Sequence, residues 1–179
     1  MALEARVHRL STAEYLRIVE TGALDGLRVE LLDGLLVDMS PQDERHARMV
    51  QRLMRLCADR MDLLRVQMPL SVADGWAPEP DIALAEPSAE ADAHPATALL
   101  IAEVAVTSQA EDRRKAAAYA RAGVPLYWLV DLPARVVVEH TRPTDGGYAI
   151  LQQLTGGDVL EAHVADVQST TVAELLPED

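Results

Sequence analysis

Apolar positions recur along this chain at two periods, every third or fourth residue in some stretches and every second or every residue in others, which separates helices from strands. Ser11-Thr12-Ala13-Glu14 has the spacing in which a hydroxyl and a carboxylate satisfy free N–H groups at a helix start, and Tyr15 and Val19 continue a short helix stopped by Gly22. Residues 29–32 and 35–39 flank Asp33-Gly34, a dipeptide suited to a type I′ turn, and predict a hairpin. Ser40-Pro41 is expected to open the next element, serine capping free amides and proline taking the first helical position. Over residues 43–64, Ala47, Val50, Leu53, Met54, Cys57, Met61 and Leu64 follow at helical spacing.

Residues 66–72 and 82–85 read as strands, separated by a loop with Gly75, Trp76 and two prolines. The Ala-, Glu-, Asp- and Pro-rich residues 86–98 read as a connecting loop. Residues 99–106 are almost continuously apolar, as in a central strand covered on both faces. Ser108-Gln109-Ala110-Glu111 repeats the capping spacing and predicts a helix through Ala122, stopped by Gly123. Strands follow at 124–131, 135–140 and 148–154, then a last apolar segment ending near Leu176. The order is that of a mixed α/β protein without internal repeats.

The 179 residues suffice for one domain, taken as residues 1–179, and 49% hydrophobic with 25% charged residues is the balance of an ordinary folded protein. Phenylalanine is absent, and Trp76, Trp128, Tyr15, Tyr119, Tyr127 and Tyr148 are too few for a platform of stacked single-strand bases. The lone cysteine, Cys57, excludes an internal disulfide and a cysteine-rich zinc site, and reads as a packing residue. Without a basic-then-apolar leader or an 18-residue apolar run, a cytoplasmic location is expected. A net charge of −13 weakens general attraction to nucleic acid, whose non-specific binding rests on neutralised phosphates.

Against that background a few charged residues stand out. The chain has fifteen arginines and one lysine, Lys115. Glu103 interrupts the most apolar run; there it needs a cation, a metal, hydrogen-bond donors or a retained proton, unless it reaches water at the strand end. Lys115 and Tyr119 share a face of the following helix at i and i+4 and can point back toward that strand. With Asp81 in Pro78-Glu79-Pro80-Asp81-Ile82, these residues supply what a metal-dependent phosphodiesterase requires, hard oxygen ligands for Mg²⁺ and a compact cation near the attacking water. His46 is a candidate substrate contact or base near Glu30, although a surface histidine is the plainer reading; His94 has a weaker case. Arg45, Arg48, Arg52 and Arg55 form a second stripe on the long helix, read as its wet side or as a nucleic-acid face.

Together Glu30 on the hairpin, Asp81, Glu103 and Lys115 resemble the PD-(D/E)XK nuclease core. The strings Arg28-Val29-Glu30-Leu31-Leu32-Asp33-Gly34, Pro78-Glu79-Pro80-Asp81-Ile82, Ala102-Glu103-Val104, and Tyr119-Ala120-Arg121-Ala122-Gly123-Val124-Pro125 through Trp128-Leu129-Val130-Asp131 resemble the Uma-two family of putative restriction endonucleases, from about Thr12 to Leu176. The resemblance implies a central mixed β-sheet flanked by α-helices, a restriction-endonuclease-like core with an N-terminal helix and β-hairpin. It implies Asp81 and Glu103 as ligands of Mg²⁺ or Mn²⁺, Glu30 as an accessory acid, and hydrolysis of phosphodiester bonds in DNA. The simplest such core carries lysine two residues after the glutamate; here that position is Ala105, so Lys115 must replace it from the helix, with Tyr119 packed beside it. A homodimer is expected by association. The rivals are a catalytically idle module that binds a partner, and a metal enzyme acting on RNA or a small phosphodiester.

Overall fold

The computed structural model describes residues 7–90, 92–106, 109–163 and 165–177, with side chains of residues 109–113 outside the description. The helix α1 (Thr12–Glu20) starts with the reciprocal Ser11–Glu14 cap read from the sequence. The hairpin β1 (Val29–Leu32) and β2 (Leu35–Asp38) follows, with Leu32 opposite Leu35. Asp33 and Gly34 both have positive φ, 52° and 73°, which is the backbone that makes the two-residue turn. Gly34 is needed for space as well, since a Cβ there would lie 2.6 Å from Arg9 Cβ.

The helix α2 (Glu44–Leu56) corrects the expected start and end of the long helix. Its cap is Asp43, whose side chain accepts from the His46 N–H at 2.9 Å, and not Ser40. It stops before Cys57; one 3₁₀ turn (Ala58–Arg60) redirects the chain, and Leu64 enters β3 (Leu64–Val66) opposite Leu84. Helical spacing of Met61 and Leu64 was coincidental, because Met61 is exposed and Leu64 serves the sheet. The strand expected over residues 66–72 shrinks for a related reason: Gln67 takes φ of 50° and ends it, after which Leu70 and Val72 are buried from an irregular segment. Cys57 is buried in the core, as expected.

The strands β4 (Ile82–Leu84), β5 (Leu100–Ala105), β6 (Leu126–Asp131), β7 (Val136–Thr144) and β8 (Gly147–Thr155) complete a six-stranded sheet in the order β3-β4-β5-β6-β7-β8. Only β5 and β6 pair in parallel, joined by α3 (Gln109–Arg121); every other neighbour is antiparallel. Ser108, which carries the second expected cap, lies outside the described residues. Beyond the sheet, β9 (Val159–Ala162) and β10 (Val167–Thr171) form a separate pair leading into the short α4 (Val172–Leu175). The last apolar segment thus resolves into three elements.

Alternation along β5 sends its residues into two cores. Leu100, Ala102 and Val104 join Met49 and Leu53 of α2, Trp128, and Leu160, Val172 and Leu175 of the C-terminal elements. Ile101 lies on the other face with Tyr119 of α3, Tyr127 and Ala83. Glu103 has the parity of Ile101 and therefore faces α3. The mixed sheet flanked by helices is the architecture expected from the sequence.

Candidate functional site

Five of the six buried polar or charged residues among those described, Glu30, His46, Asp81, Glu103 and Lys115, meet at one end of the sheet; the sixth is His140. Burying charge is costly unless partners are supplied, so this concentration singles the place out. The cleft holds about 200 Å³, and Glu79, Asp43 and residues 104–106 share its lining with those five.

Glu103 is placed by β5 and held from three directions. The Tyr119 hydroxyl donates to Oε1 at 2.7 Å, Lys115 Nζ lies 3.5 Å from Oε1, and the Asp81 N–H reaches Oε2 at 3.4 Å. Full burial pushes the Glu103 pKa up to about 8; Lys115 and Tyr119 act against that rise, and the charges of Asp81 and Glu30 add to it. Burial outweighs the attraction of Lys115 and is the main reason this carboxyl holds its proton so firmly.

Asp81 sits immediately before β4, where Pro78 and Pro80 hold the approach extended and Gln67 folds over it. Its Oδ2 accepts from the Val104 N–H at 2.9 Å and contacts His46 Nε2 at 3.1 Å, while Gln67 Nε2 donates to Oδ1 at 3.2 Å. Burial alone would lower the His46 pKa, but its hydrogen bond with Asp81 and the charges of Asp81, Glu103 and Asp43 outweigh burial and raise it. His46 Nδ1 is buried without a hydrogen-bond partner among the described residues.

Lys115 comes from α3, on the opposite face of the sheet from α2. Its Nζ is 2.8 Å from Glu30 Oε1, and Glu30 Oε2 accepts from the Glu79 N–H at 3.1 Å. Arg114, one residue earlier, pairs with Asp33 in the hairpin turn at 3.6 Å, so α3 is tied to the hairpin twice. Burial, then the neighbouring Glu30 charge, raises the Glu79 pKa. Tyr119 packs its ring on Tyr127 with centroids 5.4 Å apart, which fixes the hydroxyl that holds Glu103.

The structure thus brings together Glu30, His46, Asp81, Glu103, Lys115 and Tyr119. The ordinary reading of His46 as a surface residue is overturned by its burial against Asp81. His94 lies apart from the cleft, its pKa lowered by partial burial and then by Arg65. Gln67 and Glu79 were missed: Gln67 acts only because of its left-handed backbone, and Glu79 was seen merely as a neighbour of Asp81.

The donor set suits a hard divalent cation. Among the described residues no three His, Cys, Asp or Glu side chains are gathered in metal-holding geometry. Mg²⁺ commonly keeps waters and takes one or two carboxylates together with substrate phosphate, so the Asp81–Glu103 pair is the size of site such an ion uses.

A family model named Uma2 and described as a putative restriction endonuclease matches residues 12–173. No curated protein matches the chain. A crystal structure described as a putative nuclease belonging to DUF820 from Anabaena variabilis ATCC 29413 superimposes with a TM-score of 0.74 at 14% identity, over 93% of this chain and 97% of that one. At that identity the likeness establishes the fold.

Proposed function

We propose that this chain, which belongs to the Uma2 family of putative restriction endonucleases, is a metal-dependent endonuclease hydrolysing phosphodiester bonds in DNA. The observation that carries the reading is the position of the only lysine. Ala105 occupies the place where the simplest nuclease core has its ammonium group, yet Lys115 arrives from α3 to within 3.5 Å of Glu103 and 2.8 Å of Glu30.

In this reading Asp81 and Glu103 hold Mg²⁺ or Mn²⁺, which would supply Lewis acidity toward a phosphoryl oxygen and lower the pKa of water. Lys115 orients the attacking water and meets the negative charge that grows on the phosphoryl oxygens. Glu30 fixes the ammonium, Tyr119 fixes the Glu103 carboxylate, and His46 with Gln67 fixes Asp81. Residues 1–179 act as one domain, and a cytoplasmic homodimer would present two such sites to the two strands of a duplex. No helix among the described residues is long and apolar enough to cross a membrane.

Incubation of supercoiled plasmid with the protein in Mn²⁺ tests the reading. The wild type is expected to nick or linearise it, Lys115→Ala to slow cleavage roughly 100-fold or more, and Asp81→Ala to abolish it. A folded wild type that cleaves neither DNA nor RNA would leave the chain as an idle binding module; cleavage of RNA alone would reassign the substrate.

A further inference from the structure

A second cleft, of about 220 Å³, is lined by Arg45, Arg48, Met49, Arg52, Leu132, Pro133, Arg135, Leu176 and Pro177. Four arginines in one depression are conspicuous on a chain of net charge −13. Residues 45, 48 and 52 fall within about 60° of one another around α2, next to the face that buries His46, Met49 and Leu53. They extend over roughly 10 Å of helix, the length of about three phosphates on one strand of a duplex.

The guanidiniums are held in place without being used up. Arg52 donates to the Leu175 carbonyl at 3.0 Å, and Arg135 to the carbonyls of Leu176 at 2.6 Å and Pro177 at 3.3 Å. Each guanidinium has five N–H donors, and the described residues take up only one of Arg52's and two of Arg135's. Arg45 pairs with Asp43 at 3.0 Å, an exposed contact that costs little to exchange, and Arg48 has no ion pair or hydrogen bond to any described residue. Asp43 also lines the acidic cleft, and His46 follows Arg45 directly, so the two clefts share a border at the first turn of α2.

We infer that Arg45, Arg48, Arg52 and Arg135 form the phosphate-backbone subsite for the DNA strand that runs into the Asp81–Glu103 cleft. The inference rests on the proposed nuclease reading and adds to it the surface on which an acidic protein holds a polyanion. On a chain of net charge −13 this depression gathers four of the fifteen arginines.

The test is fluorescence anisotropy with a 5′-fluorescein 20-base-pair duplex DNA, in EDTA to prevent cleavage, titrated between 50 and 200 mM salt. Arg45→Ala/Arg48→Ala is expected to weaken binding at least tenfold and to reduce the slope of log K against log salt by roughly 1.8, about 0.9 for each lost phosphate contact. Arg48→Glu, a single change at an exposed position, checks the result should the double variant misfold, and is expected to weaken binding further than Arg48→Ala. Arg17→Ala on α1, outside the cleft, is expected to bind as the wild type does. Wild-type affinity and slope in the cleft variants would overturn the subsite while leaving the nuclease reading intact. No duplex binding by the wild type would also overturn it, and plasmid cleavage in Mn²⁺ would then decide the nuclease reading separately.

Discussion

Glu103 is the residue on which opposing forces meet most directly. Its carboxyl is buried and pushed up to about 8, from an ordinary value of 4.5, by desolvation, with Lys115 and Tyr119 opposing that rise and Asp81 and Glu30 adding to it. Between about pH 4.5 and 8 the unfolded chain has lost this proton while the folded chain retains it. The folded state then binds more protons, so stability from this group falls as pH rises through that window and levels off above it. Urea denaturation in EDTA from pH 5 to pH 9 should show the wild type losing more stability than Glu103→Gln; parallel curves would refute the assignment. Glu103 and Lys115 were legible because a charge inside an apolar strand and the only ammonium on the next helix are each anomalous alone. Gln67 was not, because its contact with Asp81 depends on a φ of 50° that no periodicity announces.

At the scale of elements, the N-terminal hairpin is an anchor for the site. Glu30 on β1 and Asp33 in the turn hold Lys115 and Arg114 of α3, and the Gly34 N–H donates to the Gly75 carbonyl at 2.8 Å. Gly34→Ala places a Cβ against Arg9 at positive φ and is expected to destabilise the protein by about 1 kcal/mol or more. The plasmid-cleavage rate should fall with it, since Glu30 shares the hairpin. Gly157→Ala, where a Cβ meets nothing within 4 Å, should change neither the urea midpoint nor the rate. The hairpin was readable from its turn chemistry and α1 from its cap, while α3 was readable from the glycine that stops it and the central strands from the spacing of their apolar residues. The end of α2 was not, because Met61 and Leu64 continue the helical spacing although one is exposed and the other belongs to β3.

For the molecule as a whole, the sheet order was outside the reach of the sequence, since strand neighbours are chosen by packing between distant segments. The consequence of that order is that β4 and β5 set Asp81 and Glu103 side by side, with α2 and α3 closing on them from opposite faces. A protein of net charge −13 attracts divalent cations diffusely, so stabilisation by metal identifies a site only if one side chain controls it. At a free Mn²⁺ concentration 100 times the dissociation constant, one site on the folded state adds about 2.7 kcal/mol, which for a chain of this size raises Tm by roughly 5–10 °C. Differential scanning calorimetry should show that rise in the wild type and lose it in Asp81→Asn, which keeps the side chain's shape and removes its charge. Equal rises in both proteins would mean that the metal is held by the general acidity of the surface, and the Asp81–Glu103 pair would then need another ligand.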